Sequence, residues 1–328
     1  MRVLINGFGR IGRTLLRQIL TDSRNSDIEV VGINDIASLE TCAYLFCYDS
    51  VFGPFPGTVE EAPDALVVDG RAIPFTMLAD LSLADLSGVD LVLESTGKAK
   101  SREVAERGLK AGAAGVLISG PSDAADITAV FGANADSIGD AKIVSNASCT
   151  TNAIAPLLRP LHEALGIARA HITTVHCYTG SQPTVDAPAA SLERSRAAAV
   201  SMVPTSTSAA TQVARVLPAM ADKLTVSAVR VPCISVSAID AVIQLERAPD
   251  RPLDHLLRET FAGSTLVGLT DDPCVSTDMR ARPESLVLAM PETRQVGDRQ
   301  VRLFGWYDNE WGFSARMIDM ARRMAARA

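Results

Sequence analysis

Residues 3–20 read Val3-Leu4-Ile5-Asn6-Gly7-Phe8-Gly9-Arg10-Ile11-Gly12-Arg13-Thr14-Leu15-Leu16-Arg17-Gln18-Ile19-Leu20. A short apolar run leads into a turn with three glycines. Beyond it, Ile11, Leu15, Leu16, Ile19 and Leu20 recur with a helical period. The order is strand, tight turn, helix, and the glycines are spaced G-x-G-x-x-G. In such a unit Gly7 permits the turn, Gly9 lets the backbone approach a pyrophosphate, and Gly12 lets helix and strand pack closely. The helix start offers unpaired N–H groups and the positive end of its dipole to phosphate. A second strand, Ile28 to Ile33, ends at Asn34-Asp35, where Asp35 is placed to accept hydrogen bonds from an adenosine ribose. A carboxylate there repels a 2′-phosphate, which favours NAD over NADP.

Further strands follow at Leu91–Leu93, Gly115–Ile118 and Ile143–Val144, with a helix expected over Arg102–Ala111. Leu66 to Ile73 reads as a hairpin turning at Asp69-Gly70. Continuous apolar strands joined by helices imply a parallel α/β sheet of Rossmann type. The second half changes character. Ile172–Val175, Val226–Val231, Ser235–Leu245 and Val301–Phe304 are longer and more alternating, as in a largely antiparallel sheet. Ser181 to Met202 has few strand formers, and a loop of that length in a compact domain is functional or docked on a partner. Phe313 to Ala328 carries Met317, Met320, Ala321 and Met324 at helical spacing and reads as a docking helix.

The formal charge of −7 argues against general nucleic-acid or acidic-membrane binding. The six cysteines include no CxxC pair, which suits neither a disulfide framework nor zinc and fits a reducing compartment. No apolar run approaches the roughly 18 to 20 residues of a membrane span. The expectation is a cytoplasmic protein with no metal site.

One cysteine stands apart. Ser145-Asn146-Ala147-Ser148-Cys149-Thr150-Thr151-Asn152 precedes an apolar helical run. If the helix begins near Ser148, Cys149 lies in its first turn, where free N–H groups and the dipole lower a thiol's pKa. Ser148 and Thr150 add hydroxyls for an anion. A nucleophile also needs a base, and there are four histidines: His162, His171, His176 and His255. His162 lies within the helix and His255 in a polar one. His176 follows the strand Ile172–Val175, at a strand end expected to open on a cleft, and is the favoured partner.

The stretches NGFGRIGR, YDSVFG, ESTG, SNASCTTN, HCYTGSQ, SRAAAVSMVPTST, RVP and WYDNEWGFS span the chain. With them the chain resembles the phosphorylating glyceraldehyde-3-phosphate dehydrogenase family over essentially its whole length. The resemblance implies an NAD-binding Rossmann-type domain over 1–148, an α+β catalytic domain over 149–312, and a helix over 313–328 that returns to the first domain. It implies a thioester on Cys149, with His176 as base, and a homotetramer. Gly7, Gly9, Arg10, Ile11, Gly12, Asp35, Thr96, Ser119 and Asn309 match cofactor-binding positions, Asn309 holding the nicotinamide carboxamide. Thr179 and Arg230 match the site for the substrate's phosphate. Ser148, Thr150, Thr207 and Arg194 match that for inorganic phosphate, and Ser208 stands beside Thr207. Taken alone, Arg230 also reads as an edge-strand ion pair and Arg194 as a solvated charge.

The chain departs from the common pattern at Ser181, at Ala189-Ala190-Ser191-Leu192-Glu193 in place of a basic stretch, at Ser208 and at Phe313. Around Met77 no basic residue matches the one often found near the adenine phosphate. These changes bear on substrate identity more than on reaction class. An erythrose-4-phosphate dehydrogenase, in which water attacks the thioester, and a non-catalytic NAD-binding redox sensor remain alternatives. Cys177 reads as a buried structural thiol rather than a resolving thiol for Cys149, because neighbours along a strand point to opposite faces and Cys177 follows His176 directly.

Overall fold

Val3, Leu4 and Ile5 form the buried centre of β1 (Arg2–Asn6), the strand around which the first sheet is built. The other strands of this sheet are β2 (Glu29–Asn34), β3 (Val59–Ala62), β4 (Ala65–Val68), β5 (Arg71–Thr76), β6 (Leu91–Glu94), β7 (Gly115–Ile118), β8 (Ile127–Thr128) and β9 (Ile143–Ser145). Their order is β3-β4-β5-β2-β1-β6-β7-β9-β8, parallel from β5 to β8, with β3 and β4 antiparallel at one edge. Chain order reverses at β1, which is flanked by β2 and β6. The carboxyl end of such a strand opens a crevice, and open α/β sheets bind ligands there. The hairpin turns at Asp69 (φ 48°) and Gly70 (φ 78°), the pair of left-handed residues that a two-residue turn with the strands' own twist requires. The structure, a computed structural model, describes residues 1–326. Arg327 and Ala328, the end of the expected last helix, lie outside the described residues.

Helix α1 (Arg10–Thr21) buries Leu15, Leu16 and Ile19, with Ile11 and Leu20 at its margins. Helix α2 (Leu39–Cys47) follows β2. The helix expected over 102–111 is two single turns, α3 (Arg102–Ala105) and α4 (Arg107–Lys110), divided at Glu106. Gly108 explains the tight fit there. A Cβ on it would lie 2.8 Å from Val92 and 3.0 Å from Val116, so the second turn is pressed onto the sheet.

The chain divides into two compact units, 1–148 with 314–328, and Cys149–Phe313. The second unit is built on α5 (Cys149–Leu165) and a sheet of β10 (Ile167–Cys177), β11 (Val203–Thr205), β12 (Leu224–Val231), β13 (Ser237–Leu245), β14 (Val267–Thr270), β15 (Leu286–Ala289), β16 (Arg294–Val296) and β17 (Gln300–Tyr307). Most neighbours are antiparallel, but β10 with β12 and β14 with β15 are parallel. Pro156 and Pro160 each remove a ladder bond from α5. The helix persists because Ile154, Leu157, Leu158 and Leu161 are buried against Ile172, Ile239, Ile243 and Leu303. Burying each such side chain stabilises by about 2 kcal/mol, which outweighs a missing backbone bond worth about 1 kcal/mol.

Helices α6 (Ala209–Val216) and α7 (Leu253–Thr260) complete this unit, and α8 (Trp311–Ala325) ends the chain. From Ser314 onward α8 belongs to the first unit. There Met317, Met320, Ala321 and Met324 are buried, and Arg322 pairs with Asp27 at 2.7 Å. Residues 178–202 hold no strand, with only a short 3-10 turn at Glu193–Ser195. Among the described residues no helix is long and apolar enough to cross a membrane.

Candidate active site

In the first unit the glycine-rich turn joins β1 to α1, with the Gly7 N–H donating to Asn34 O at 2.7 Å. A Cβ on Gly7 would lie 2.6 Å from Thr96 N, and one on Gly12 2.1 Å from Gly7 O, so neither position admits a side chain. A Cβ on Gly9 would meet nothing within 4 Å. That space borders a cleft of roughly 410 Å³ lined by Asn6, Gly7, Gly9, Asn34, Asp35 and Thr96, among others. Gly9 is also the N-cap of α1 and brings no side chain to cap it. The first-turn amides therefore face the space where an anion fits. The Ser95 hydroxyl on the cleft wall is buried with no partner. These are the features a dinucleotide needs.

Asp35 makes contacts that the sequence did not show. Its Oδ2 accepts from Phe8 N at 2.6 Å and its Oδ1 from Ala37 N at 2.9 Å, so the carboxylate holds the glycine turn. Below it runs a buried polar chain. Thr76 Oγ1 donates to Asn34 Oδ1, Asn34 Nδ2 to Asn6 Oδ1, and Asn6 Nδ2 to Glu94 Oε2, while Glu94 Oε1 accepts from Thr96 N. Asn6, Asn34 and Glu94 escaped the sequence reading because their importance lies in meeting across β2, β1 and β6. The Arg10 guanidinium is held by Asp49 and stacks on Phe52. Ser119 donates its backbone N–H to Glu94 O, just beyond β7. No basic residue stands at position 77, but Lys98 and Arg107 line the cleft.

In the second unit the strand register assembles the site. Ala170, Ile172, Thr174 and His176 alternate toward the face of β10 that the core covers. His176 lies within the strand, not after it, and is 6% exposed, so it does not open freely on a cleft. Arg230 stands directly across from it on β12. Because β11 covers the other side of β12, this arginine is not on an edge strand. Ala147, at φ 54°, turns the chain into α5 and delivers Cys149 at its start. Cys149 Sγ lies 3.5 Å from His176 Nε2. His176 Nδ1 lies 2.7 Å from Cys177 O, which only accepts; the tautomer that carries its proton on Nδ1 bonds this carbonyl and leaves Nε2 as the base toward sulfur. Arg230 Nη1 donates to the same carbonyl at 2.8 Å and lies 2.9 Å from Nδ1.

Burial pushes the Cys149 thiol up, against the pull of Arg230 and of the Thr150 hydroxyl and amide. Burial and the Arg230 charge bring the His176 imidazole down to about 4. Both shifts favour the uncharged forms, opposite in direction to the lowering that the helix start predicts for the thiol. A helix start is visible in sequence, but its desolvation is not.

Tyr307 also escaped the sequence reading, although it sits in WYDNEWGFS. Its hydroxyl is buried between Thr150 Oγ1 at 2.9 Å and Thr174 Oγ1 at 2.7 Å, and burial pushes its pKa up. Its ring meets that of His176 edge-on at 6.0 Å. The Thr150 hydroxyl is thus tied into a chain. Thr179 bonds Ser181 at 3.1 Å, Arg194 Nε donates to Thr205 Oγ1 at 2.6 Å, and Thr207 Oγ1 accepts from Ala209 N. Ser208 caps α6 with its backbone alone, and Ser148 is half-buried beside Cys149. Asn309 is buried at the corner before α8, where Asp308 accepts from the amides of Glu310 and Trp311.

A cleft shaped for a dinucleotide and a thiol set against an imidazole nitrogen are the equipment of an NAD-dependent oxidoreductase acting on an aldehyde group. Residues 1–102 match the family model described as glyceraldehyde 3-phosphate dehydrogenase, NAD binding domain, and residues 148–309 match its C-terminal domain. The chain is 45% identical to the glyceraldehyde-3-phosphate dehydrogenase of Xanthobacter flavus over 99% of this chain and 98% of that protein. It is 44% identical to that of Cereibacter sphaeroides, over 99% of this chain and 98% of that one. The same coverage, at 45% identity, holds for that of Pseudomonas aeruginosa. The chain belongs to the glyceraldehyde-3-phosphate dehydrogenase family.

Proposed function

We propose that this protein oxidises D-glyceraldehyde 3-phosphate with NAD and inorganic phosphate to 1,3-bisphosphoglycerate through a thioester on Cys149. The observation that carries this is the 3.5 Å approach of Cys149 Sγ to His176 Nε2, with Nδ1 anchored on Cys177 O. Sulfur attacks the aldehyde carbon and the thiol proton passes to Nε2. Nε2 then passes that proton to the carbonyl oxygen, which becomes the hydroxyl of a thiohemiacetal, and His176 is neutral again. His176 then takes that hydroxyl's proton as the carbon is oxidised to the thioester. NAD, when bound, accepts the hydride. Phosphate attacks the thioester carbon, the C–S bond breaks, and Cys149 regains its proton. Splitting the reaction at a covalent intermediate replaces one high barrier with two lower ones.

The first unit would hold the dinucleotide through Gly7, Gly9, Arg10, Ile11, Gly12, Asp35, Thr96 and Ser119, and Asn309 would hold the nicotinamide carboxamide. Thr179 and Arg230 would bind the substrate's phosphate. Ser148, Thr150, Arg194, Thr207 and Ser208 would bind the attacking phosphate. Support for Arg194 is its anchoring through Nε, which leaves its two terminal nitrogens for oxygen ligands. A phosphate on Arg230 would offset the charge that opposes His176 protonation, so substrate itself would make the base stronger.

The test is NADH formation from glyceraldehyde 3-phosphate and NAD, with and without inorganic phosphate. Multiple turnover should require phosphate. Turnover that ignores phosphate would point to hydrolysis of the thioester, and erythrose 4-phosphate becomes the substrate to try. NAD bound without any turnover would favour the redox-sensor reading. Asp35→Ser should raise KM for NAD about tenfold and narrow the preference over NADP, because Asp35 both orders the turn and repels a 2′-phosphate. An unchanged NAD to NADP ratio would move that role to another residue.

We read the protein as a cytoplasmic homotetramer. Supporting this, all six cysteines are free, and Val185, Leu192, Val200 and Met202 of the loop 178–202 are exposed as a subunit contact would require. Light scattering at a monomer's mass would remove the tetramer.

A further inference from the structure

Cys177 is buried, the base does not use it, and it lies on the strand face opposite His176. Its Sγ–H donates to Asn309 Oδ1 at 3.1 Å. The Ser237 hydroxyl also reaches Asn309 Oδ1, at 3.3 Å, while Ser237 Oγ accepts from Cys177 N at 3.1 Å. Ser237 is set there by a strained backbone. Val236, just before it, is a buried β-branched residue at φ 65°, a conformation that persists only where its surroundings impose it. Both lone pairs of Asn309 Oδ1 are therefore filled. Its Nδ2 is the remaining polar end of the amide.

We propose that Cys177 and Ser237 are positioning residues that lock the Asn309 amide in one flip state, so that the site presents only N–H donors and selects a cofactor ring bearing a carbonyl acceptor. This rests on the reading that Asn309 meets the nicotinamide carboxamide. In the opposite flip, Nδ2 would aim at a thiol and at a hydroxyl already accepting Cys177 N–H. Their two protons would then lose their acceptor. Burial holds the Cys177 thiol up at about 12, so it remains a donor throughout the working pH range. The locked amide recognises the carbonyl oxygen of the carboxamide and is indifferent to its NH2 group. A ring carrying an acetyl group in place of the carboxamide keeps the recognised atom. A ring with neither group loses it.

The test compares NAD with 3-acetylpyridine adenine dinucleotide and with the unsubstituted pyridine analogue as ligands of the whole enzyme, by Kd and by kcat and KM where turnover occurs. The native protein should bind the first two within a few-fold of each other and the third far more weakly. Cys177→Ala removes one lock donor and should weaken NAD and acetylpyridine binding about five- to tenfold with little change for the unsubstituted analogue. Cys177→Ser keeps a donor and should restore the native ranking. Cys177→Val fills the volume without a donor and should behave as the alanine variant does. If alanine and valine leave the three-ligand ranking unchanged, the lock is refuted. Asn309→Ala separates the two ideas. If it leaves all three affinities as in the native protein, the underlying assignment of Asn309 fails. If it abolishes the ranking while the Cys177 variants do not, only the lock fails.

Discussion

Cys149→Ser is expected to reduce turnover by at least ~10,000-fold while leaving NAD affinity unchanged. A serine hydroxyl is far less acidic than a thiol. The imidazole, held down at about 4, therefore removes the serine proton far less readily than the thiol's as the nucleophile attacks. The oxygen would occupy the sulfur's place at the start of α5, so the fold should not change. Turnover would be followed as NADH production and cofactor affinity by quenching of protein fluorescence. A serine variant retaining more than a few per cent of turnover would remove Cys149 as the nucleophile. Loss of both turnover and NAD binding would mean that the substitution disturbed the protein more widely.

His176→Asn should slow turnover by ~100- to 10,000-fold, the usual worth of a positioned general base. Asparagine can still donate to Cys177 O but cannot accept the thiol proton. Alkylation of Cys149 near neutral pH should then slow and its pH profile change, since no base takes the thiol proton as the sulfur reacts and burial already raises the thiol. An unchanged alkylation profile would sink the pairing. The same variant makes a stability prediction. The folded pKa of His176 is about 4, below its value of 6.5 when free. Above pH 6.5 both folded and unfolded chains hold it neutral, and its contribution is complete. As pH falls from 6.5 toward 4, the unfolded chain binds a proton that the folded chain refuses, and stability is lost. The loss is on the order of 3 kcal/mol. His176→Asn should therefore lose that much less stability over this window, measured by urea unfolding at both pH values. Parallel curves for the two proteins would contradict the depressed pKa.

Much of the site was legible because its chemistry is local. A glycine turn needs a strand before and a helix after, and residues 3–20 contain both. Cys149 announces itself by its hydroxyl neighbours and the apolar helix behind it. Residues whose role depends on meeting across strands were not legible. Asn6, Asn34 and Glu94 lie far apart in the chain and become a network because β2, β1 and β6 are adjacent. Tyr307 matters because β17 brings its hydroxyl to Thr150 and Thr174, which lie well over a hundred residues away. The broken helix at Glu106 was missed because periodicity measures which face is apolar and not how closely a turn is pressed onto a sheet.

The sequence by itself determined the parallel sheet with its dinucleotide turn, the break to a largely antiparallel second half, and the choice of Cys149 and His176. Period, turn chemistry and spacing act within a few residues and can be read along the chain. Only the tertiary structure decided in which direction the proton affinities of that pair are pushed. Helix α5 and strand β10 had to pack before the thiol and imidazole were desolvated and Arg230 was set beside Nδ1. Desolvation is a property of everything surrounding a group, and no stretch of sequence contains it.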